Sequence, residues 1–331
     1  MKILVSGATG FVGGAISRHL LAAGHEVRAL SRSSTRAAQK YDADEIGRKA
    51  LADGRLTFVE ADVTKPDSLL PAVEGMDAVV QAAQFTGAPV EDPARGLTYA
   101  AVDRDGTLNL LGAIAKVYGR ATAGPDPARF PSGSPRFLYM SGITVAPEAQ
   151  EPWNAAKWQA EEAIRGSGLT WAIVRSCWAY GPNDTALNRI LGYSDYLPFV
   201  PVFGRGEDPL SPVFVEDIGR LFTLLIAYPE KATDTTLKLG GPDTVTLNEF
   251  VSLALRAMGR RRPLLHIPKP LGKVQGAVMQ YLPGRPLTPD AVDFVAQGGA
   301  VTDADRAALA ELFPELRTTP LREGLGSYMN R

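Results

Sequence analysis

The first part of the chain alternates between short apolar runs and longer segments whose apolar residues recur at helical spacing. Apolar runs of strand length occur at KILVS (2–6), HEVRALSR (25–32), LTFVEAD (56–62) and DAVVQAA (77–83). The continuous run KILVS is typical of a strand buried on both faces, and AISRHLLAA, which follows it, has the period of a helix. Alternation of this kind predicts a parallel, doubly wound α/β sheet.

The same alternation continues to about residue 176. TLNLLGAIAKVYG predicts an amphipathic helix, RFLYMSG a fifth strand, NAAKWQAEEAIRGSG another helix and TWAIVRS a sixth strand. The Gly- and Pro-rich stretch 119–135 predicts an irregular surface loop. Beyond Tyr180 the rhythm fades. We therefore expect one domain over 1–176, with 212–240 returning to it, and a smaller C-terminal substrate or partner lobe over 177–331.

The turn after the first strand, GATGFVG, has glycines at positions 7, 10 and 13. Gly7 permits a tight turn, Gly10 lets the backbone approach a pyrophosphate, and Gly13 lets the following helix pack on the strand. The helix N-terminus would then offer free N–H groups to phosphate, with Thr9, Phe11 and Val12 as the other turn residues that we expect at the cofactor. A purely structural glycine turn is the alternative. The position between the first strand and helix favours a Rossmann-type dinucleotide site.

The end of the second strand bears on the choice of cofactor. It has the sequence ALSRSS, with Arg32 and no acidic residue. An acid at this point selects NAD, whereas a basic residue accommodates the 2′-phosphate of NADP, so the sequence favours NADP over NAD. Arg32 as a solvated loop residue is the alternative. We expect Asp62 and Val63 at the adenine and the small residues Ala82 and Ala83 beneath the cofactor.

Composition narrows the function classes. Hydrophobic residues make up 45% and charged residues 21% of the 331 residues, and the formal net charge is −1. That balance does not predict the basic surface that nucleic-acid binding requires. The single Cys177 and three scattered histidines predict neither a disulfide framework nor a metal site. No apolar run has the length of a membrane span and no secretory leader precedes the first strand, so we expect a cytoplasmic protein without an integral membrane segment.

Several of these motifs together resemble a known family. GATGFVG, ADV (61–63), VVQAAQ (79–84), VDRDGTLNLL (102–111), FLYMSG (137–142), the lysine of WNAAK, VRSCWAYGP (174–182) and PVFVEDIG (212–219) resemble successive motifs of an atypical or extended short-chain dehydrogenase/reductase. The tail, 264–295, is similar to the branch that contains the accessory NAD(P)-binding subunit of respiratory complex I and its bacterial relatives. The resemblance implies a small-molecule ligand in the crevice at the carboxyl ends of the strands.

In active members of that family a tyrosine four residues before a lysine transfers a proton while hydride moves to or from the nicotinamide. By this resemblance the lysine is Lys157, the position of the tyrosine is taken by Trp153, and the hydroxyl after the fifth strand falls on Ser141 or is lost at Gly142. An indole N–H can donate a hydrogen bond but has no accessible ionisation near neutral pH. The resemblance thus implies that cofactor binding is kept and the usual proton relay is not.

Other side chains could contact a substrate or supply a hydroxyl. We expect Trp153 to contact it, and Thr144 and Tyr180 to lie on the ligand face, with Tyr139 nearby. The first hypothesis is an oxidoreductase acting on a small, apolar carbonyl compound. The alternative is a non-catalytic NAD(P)H-binding sensor, chaperone or accessory subunit. A nucleotide-sugar epimerase or dehydratase is disfavoured, because those reactions also use the tyrosine.

The segment from Leu264 to Leu282 contains few charges and places Leu271, Val274, Val278 and Tyr281 at helical spacing. The pattern predicts a helix that packs these residues against its own lobe. The alternative is an apolar lid or partner surface.

Overall fold

The computed structural model describes residues 1–85, 91–119, 133–281 and 287–329. Most of the loop expected over 119–135 lies outside the described residues, as does Leu282, the last residue of the 264–282 segment.

The strands are short and fall close to their predicted positions in the first half. They are β1 (Lys2–Ser6), β2 (Glu26–Ser31), β3 (Leu56–Glu60), β4 (Ala78–Gln81), β5 (Arg136–Gly142), β6 (Trp171–Ser176), β7 (Ala179–Tyr180), β8 (Val200–Phe203), β9 (Pro209–Leu210), β10 (Val213–Phe214), β11 (Thr235–Leu239), β12 (Val245–Thr246) and β13 (Leu264–Ile267). Seven of them form one parallel sheet in the order β11-β6-β5-β4-β1-β2-β3. This confirms the Rossmann-type, doubly wound fold.

The helices alternate with these strands. They are α1 (Phe11–Ala22), α2 (Ser34–Asp42), α3 (Glu45–Ala52), α4 (Leu70–Val73), α5 (Gly106–Tyr118), α6 (Pro152–Arg165), α7 (Thr185–Tyr196), α8 (Val215–Ala227), α9 (Leu247–Ala257), α10 (Lys269–Met279), α11 (Pro289–Val295), α12 (Asp303–Leu312) and α13 (Leu321–Met329). Helices α1 and α8 cover one face of the sheet, while α5 and α6 cover the other.

The central strand explains why the sheet has a hydrophobic core on each of its two faces. Side chains of a strand alternate between the two faces, so Ile3 and Val5 join the core beneath α1 and α8, whereas Leu4 joins the core beneath α5 and α6. All three are fully buried. Burial on both faces is what the continuous apolar run KILVS predicted.

The segment 212–240 contributes α8 and β11 to the sheet layer. β11 pairs in parallel with β6, and α8 packs on α1. The contact is close because Gly219 faces the His19 ring, where an added Cβ would lie 2.3 Å from His19 Cδ2. The His19 Nε2 atom lies 2.8 Å from Glu216 Oε2 across the same helix pair. The division of the chain into 1–176 and 177–331 remains a prediction.

A third core lies outside the sheet. Phe250 and Val251 of α9 pack there with Leu187 and Leu191 of α7 and with Leu325 of α13. The two-stranded pairings β8–β13 and β9–β12 lie alongside it.

The outer face of the tail corrects one expectation. The segment forms strand β13 and then α10, rather than one helix from Leu264. Leu271, Val274, Val278 and Tyr281 are 59 to 84% exposed, so the expectation that they pack against their own lobe is wrong. The buried face of α10 consists instead of Gly272 and Gly276.

Candidate functional site

A large cleft lies at the carboxyl ends of the parallel strands. Its volume is about 1090 Å³, and its walls come from the sheet on one side and from α7, β8 and α11 on the other. Strand β1 has β2 on one side and β4 on the other, so the chain changes direction across the sheet at this point. Such a switch point is the usual ligand site of an open α/β sheet.

The glycine turn forms the floor of one end of the cleft. Gly7 has φ of 66°, and a Cβ there would lie 2.7 Å from Ala82 O and Ala83 N; a Cβ at Gly13 would lie 2.3 Å from Gly7 O. No side chain caps the N-terminus of α1. Backbone N–H groups of α1 are therefore open to an anion, which is the arrangement that holds a pyrophosphate.

Fifteen of the sixteen residues proposed from the sequence line this cleft. They are Gly7, Thr9, Gly10, Phe11, Val12, Gly13, Arg32, Asp62, Val63, Ala82, Ala83, Ser141, Thr144, Trp153 and Lys157. Their placement brings the expected cofactor and substrate residues into one cavity. Their individual roles stay predictions.

Tyr180 is the exception. It lies in the third core, fully buried between Phe214 and Phe250, with ring centroids 5.5 and 5.7 Å away, and it does not line the cleft. The expectation that it contacts substrate is wrong, because β7 turns this side chain away from the sheet edge and toward α9 and α13. Tyr139 is likewise buried below the cleft surface, and burial raises its pKa to about 12.

Arg32 is exposed at the end where we expect the adenosine. It follows β2 directly, and the next residue, Ser33, caps α2 by accepting a hydrogen bond from the Arg36 N–H. One acid lies near this point: Glu60, at the end of β3, accepts from the Ser34 N–H at 3.3 Å. Sequence reasoning missed Glu60, but it is not among the residues that line the cleft. Asp62 does line it, with Oδ1 accepting from both the N–H and the hydroxyl of Thr64.

Lys157 is paired with an acid that the sequence analysis did not single out. Its Nζ lies 3.0 Å from Asp103 Oδ1 and 5.5 Å from the Tyr139 ring centroid. The other carboxylate oxygen of Asp103 accepts from the Phe85 N–H at 3.0 Å. Burial lowers the pKa of Lys157, but the Tyr139 phenol and the Asp103 carboxylate outweigh it and raise the pKa overall. The ammonium form is therefore stable in this buried position.

Asp103 lies on an irregular turn. Residues Ala100–Asp105 form a π-helical turn that runs into α5. Such turns are rare and occur often at functional sites. The signal available in the sequence was an acidic residue inside VDRDGTLNLL, one of the motifs that supported the family resemblance.

The two hydroxyls expected near the substrate are both engaged. Ser141 donates to Glu161 Oε1 at 2.6 Å, and Glu161 is fully buried and also binds Arg165 and Arg175. Thr144 donates to Asn154 Oδ1 at 2.9 Å. Neither hydroxyl can polarise a substrate carbonyl without releasing its present acceptor.

Trp153 joins the sheet layer to the C-terminal lobe. Its indole Nε1 donates to Gln297 Oε1 at 3.2 Å, and its ring meets that of Phe294 edge-on at 5.6 Å. Both partners lie in or just after α11. At the position of the family's tyrosine, this chain therefore has a side chain that holds the two walls of the cleft together.

The central part of the cleft is lined by aromatic rings. Consecutive centroid distances along this aromatic wall run from 4.9 to 6.4 Å through Phe85, Tyr99, Trp153, Phe294 and Trp178. Phe294, Trp178 and Gln297 were missed by sequence reasoning, since they come from loops and a short helix distant in the chain. Such a wall favours a flat, apolar ligand.

Two further titratable groups line the cleft. Burial raises the pKa of Asp184 to about 6, although its carboxylate accepts from the Ala186 and Leu187 N–H groups at the start of α7. Burial also raises the pKa of the Cys177 thiol to about 12, which leaves it a poor nucleophile.

Within the described ranges, no group of three or more His, Cys, Asp or Glu side chains is arranged to hold a metal ion. In the same residues, no helix has both the length and the apolar character needed to cross a membrane.

Comparison with known proteins shows the family of this chain. Residues 3–240 match the family model described as the NAD dependent epimerase/dehydratase family. The chain belongs to that family. The match covers the glycine turn, the Lys157 segment and the returning strand β11, and this confirms the expected superfamily of NAD(P)-binding proteins.

Individual members of the family that resemble this chain have diverse names. The photosystem II assembly factor Ycf39 of Synechocystis sp. is 25% identical and is aligned over 100% of this chain and 91% of its own length. The chloroplastic divinyl chlorophyllide a 8-vinyl-reductase of Zea mays is 28% identical over 85% of this chain and 65% of its own length. Among solved structures, UDP-glucuronic acid 4-epimerase from Bacillus cereus, in complex with UDP-glucuronic acid and NAD, superposes with a TM-score of 0.69 at 18% identity, covering 100% of this chain and 98% of that one. At that identity the structural likeness shows the fold.

Proposed function

We propose that this family member is an NADP(H)-dependent oxidoreductase that acts on an apolar carbonyl compound without a catalytic tyrosine. The observation that carries the proposal is the cleft itself, which combines an open glycine turn, an exposed Arg32 after β2 and an aromatic wall at the other end. The turn fits a pyrophosphate, and Arg32 fits a 2′-phosphate. The aromatic wall fits the apolar substrate.

The proton in such a reaction cannot come from Trp153. Hydride from NADPH would reduce a carbonyl carbon, and the oxygen must then take a proton from another donor. Of the groups at this end of the cleft, Lys157 carries protons but is paired with Asp103, and Ser141 donates to Glu161. We therefore assign the proton to Lys157 or to water that enters the cleft.

The name of the Zea mays reductase supports this proposal, because that relative is a reductase. The family is named for epimerases and dehydratases, but we do not propose a nucleotide-sugar reaction for this chain. Those reactions depend on the tyrosine, and Trp153 takes its place here.

The second candidate is a non-catalytic protein that holds NADP(H) as a sensor, chaperone or accessory subunit. The observation that favours it is the engagement of both expected catalytic groups, Lys157 with Asp103 and Ser141 with Glu161. Trp153, which takes the place of the tyrosine, is likewise bonded to Gln297. The name of Ycf39, an assembly factor, supports this candidate. The resemblance of the tail to the complex I accessory subunit points the same way.

Two measurements test these proposals. Titration calorimetry should show tighter binding of NADPH than of NADH, and Arg32→Ala should remove about one to two orders of magnitude of NADPH affinity, because a charge-assisted phosphate contact is worth about 1.5–3 kcal/mol. Arg48→Ala, an exposed arginine on α3, is the matched control and should leave affinity unchanged. Equal affinity for both cofactors would contradict the NADP assignment.

Oxidation of bound NADPH in the presence of a panel of carbonyl compounds then separates the two candidates. Steady turnover with any of them supports the oxidoreductase. Tight NADPH binding with no turnover across apolar aldehydes, ketones and conjugated enones supports the accessory protein.

A further inference from the structure

The outer face of α10 is apolar although it faces solvent. Leu271, Val274 and Val278 lie on one side of the helix, and Tyr281 continues this row just beyond its end. Leu265, on β13, is a further exposed apolar side chain in the same segment. A row of large apolar side chains on one surface, rather than scattered singly, indicates an interaction site.

The inner face of α10 explains why the helix cannot rotate to bury its apolar residues against the protein. A Cβ on Gly276 would lie 2.6 Å from the Thr288 carbonyl carbon, and a Cβ on Gly272 would lie 2.7 Å from Phe203 Cδ1. The glycine face is thus in close contact with the lobe and has no room for larger side chains. The exposure of the apolar face is fixed by packing and is not an accident of one rotamer.

The chain segment that carries this face is basic, and the acids close to it, Asp195 and Asp293, come from other helices. Between Glu249 and Asp290 the sequence has no acidic residue, in a chain whose formal net charge is −1. The same stretch contains seven basic residues: Arg256, Arg260, Arg261, Arg262, Lys269, Lys273 and Arg285. Two of them are neutralised, Arg260 by Asp195 and Lys273 by Asp293. Among the residues that the structure describes, Arg261 and Arg262 have no acidic partner, whereas the Lys269 ammonium donates to the Ala296 carbonyl at 3.3 Å.

We propose that this face, Leu265 to Tyr281 with Arg261 and Arg262, docks on the surface of an anionic lipid bilayer. An apolar face on a helix too short to span, with exposed cations in the same segment of chain, is typical of an interfacial helix whose apolar side enters the headgroup boundary. Anionic headgroups complement the cations, which a neutral or basic partner surface would not. Most residues from 261 to 281 are exposed, so this face is available for docking without a rearrangement of the protein.

Docking would place the cleft next to the bilayer. Helix α10 packs on α11, and Phe294 and Val295 of α11 line the aromatic end of the cleft. An apolar compound dissolved in the membrane would then reach the aromatic wall by a short path. This last step rests on the proposed function, whereas the docking itself does not.

Flotation with lipid vesicles tests the docking directly. The full chain should float with vesicles of phosphatidylcholine containing about one third phosphatidylglycerol and far less with phosphatidylcholine alone. Raising the salt concentration should weaken binding, because the charge contribution is screened. Absence of flotation with the anionic vesicles at low salt would overturn the proposal.

Two sets of variants separate the apolar contribution from the charge contribution. Leu271→Gln, Val274→Gln and Val278→Gln combined should weaken binding about 100-fold or more. The matched control is Ile46→Gln, Leu108→Gln and Val117→Gln combined, which changes three exposed apolar residues on the sheet layer and should leave binding unchanged. Arg261→Gln with Arg262→Gln should weaken binding about 20-fold and reduce its salt dependence, whereas Arg48→Gln with Lys49→Gln should not. Equal losses in the test and control variants would overturn the proposal.

Self-association of this face is the competing outcome. Sedimentation equilibrium would then show a dimer that the triple glutamine variant abolishes, together with no vesicle binding, and this combination would also overturn the proposal. Circular dichroism and NADPH titration on each variant show whether it is folded and whether the cofactor site is intact. A failure of cofactor binding is thereby distinguished from a failure of docking.

Discussion

The Lys157 ammonium nitrogen lies 3.0 Å from Asp103 Oδ1, in a pair whose side chains are only 11% and 1% exposed. The family resemblance implies that Lys157 holds the nicotinamide ribose, in which case the cofactor and Asp103 would compete for the same cation. Removing one partner from a buried pair leaves an uncompensated charge, which costs about 3–5 kcal/mol.

The first prediction is a strong energetic coupling between these two side chains. Lys157→Met and Asp103→Asn should each lower the free energy of unfolding, and the double variant should lose about 1–3 kcal/mol less than the two single losses added together. Urea denaturation without cofactor measures it. The exposed pair Lys273–Asp293, with nitrogen and oxygen 2.8 Å apart, is the control and should couple by less than about 1 kcal/mol. Simple additivity at Lys157 and Asp103 would contradict the prediction.

The second prediction concerns Asp184, whose pKa burial raises to about 6. A carboxyl that binds its proton more tightly in the folded state than in the unfolded state favours folding at low pH, and that contribution is lost as pH rises through the folded pKa. Above about pH 6 the buried, charged carboxylate lowers the free energy of unfolding. Asp184→Asn keeps a helix-capping side chain and removes the charge, so it should raise the free energy of unfolding at pH 8 by about 1–3 kcal/mol and by little at pH 4.

Denaturation curves at several pH values between 4 and 8 check this, with the difference between variant and parent as the quantity compared. Asp44→Asn is the control, because Asp44 also caps a helix through the Gly47 N–H but is partly exposed. A difference that is flat with pH for Asp184→Asn would show that desolvation of its carboxylate is unimportant.

The third prediction tests the correction at Tyr180. Its hydroxyl is buried and has no hydrogen-bond partner among the described residues, and it abuts Gly324, where a Cβ would lie 2.2 Å from it. A buried hydroxyl without a partner is unfavourable. Tyr180→Phe should therefore raise the free energy of unfolding by about 1 kcal/mol and leave NADPH affinity unchanged. Weaker NADPH binding by Tyr180→Phe would show that Tyr180 does contribute to the ligand site.

The strands and the cofactor end of the cleft could be predicted because their cause is local. A continuous apolar run such as KILVS is stable only when it is buried on both faces. Gly7 and Gly13 mark close backbone contacts, at which a Cβ would lie within 2.7 Å of neighbouring atoms. Position along a parallel sheet then fixes where the strand ends meet. This is why fifteen residues proposed from separate motifs line one cavity.

The substrate end could not be predicted in the same way, because its contacts join distant parts of the chain. Trp153 contacts Phe294 and Gln297, which lie more than 140 positions further on, and no local pattern pairs them. Tyr180 follows a strand as the ligand-facing residues do, but β7 pairs with β10 outside the main sheet and directs it into another core. On α10 the helical spacing of the apolar residues was predicted correctly, but the face that packs against the protein was not. Spacing alone does not show that Gly272 and Gly276 form the packed face.

The last prediction concerns the side chain that replaces the family's tyrosine. Trp153→Tyr places a phenol one helical turn before Lys157, whose positive charge favours the phenolate. It also removes the indole donor to Gln297 and part of the contact with Phe294, which opens space at the aromatic wall. A positioned general acid contributes about 10²- to 10⁴-fold to a rate. We therefore expect Trp153→Tyr to reduce apolar ketones with bound NADPH at least about 100-fold faster than the parent protein, with a rate that depends on pH.

Trp153→Phe makes the same space without the hydroxyl, and it should stay at the parental rate while binding NADPH equally well. If both variants bind NADPH and both remain at the parental rate, the phenol does not reach the reacting oxygen and the expected gain is wrong. If the parent already turns over rapidly and Trp153→Phe keeps that rate, the proton comes from a group other than residue 153, and the accessory-protein candidate is excluded.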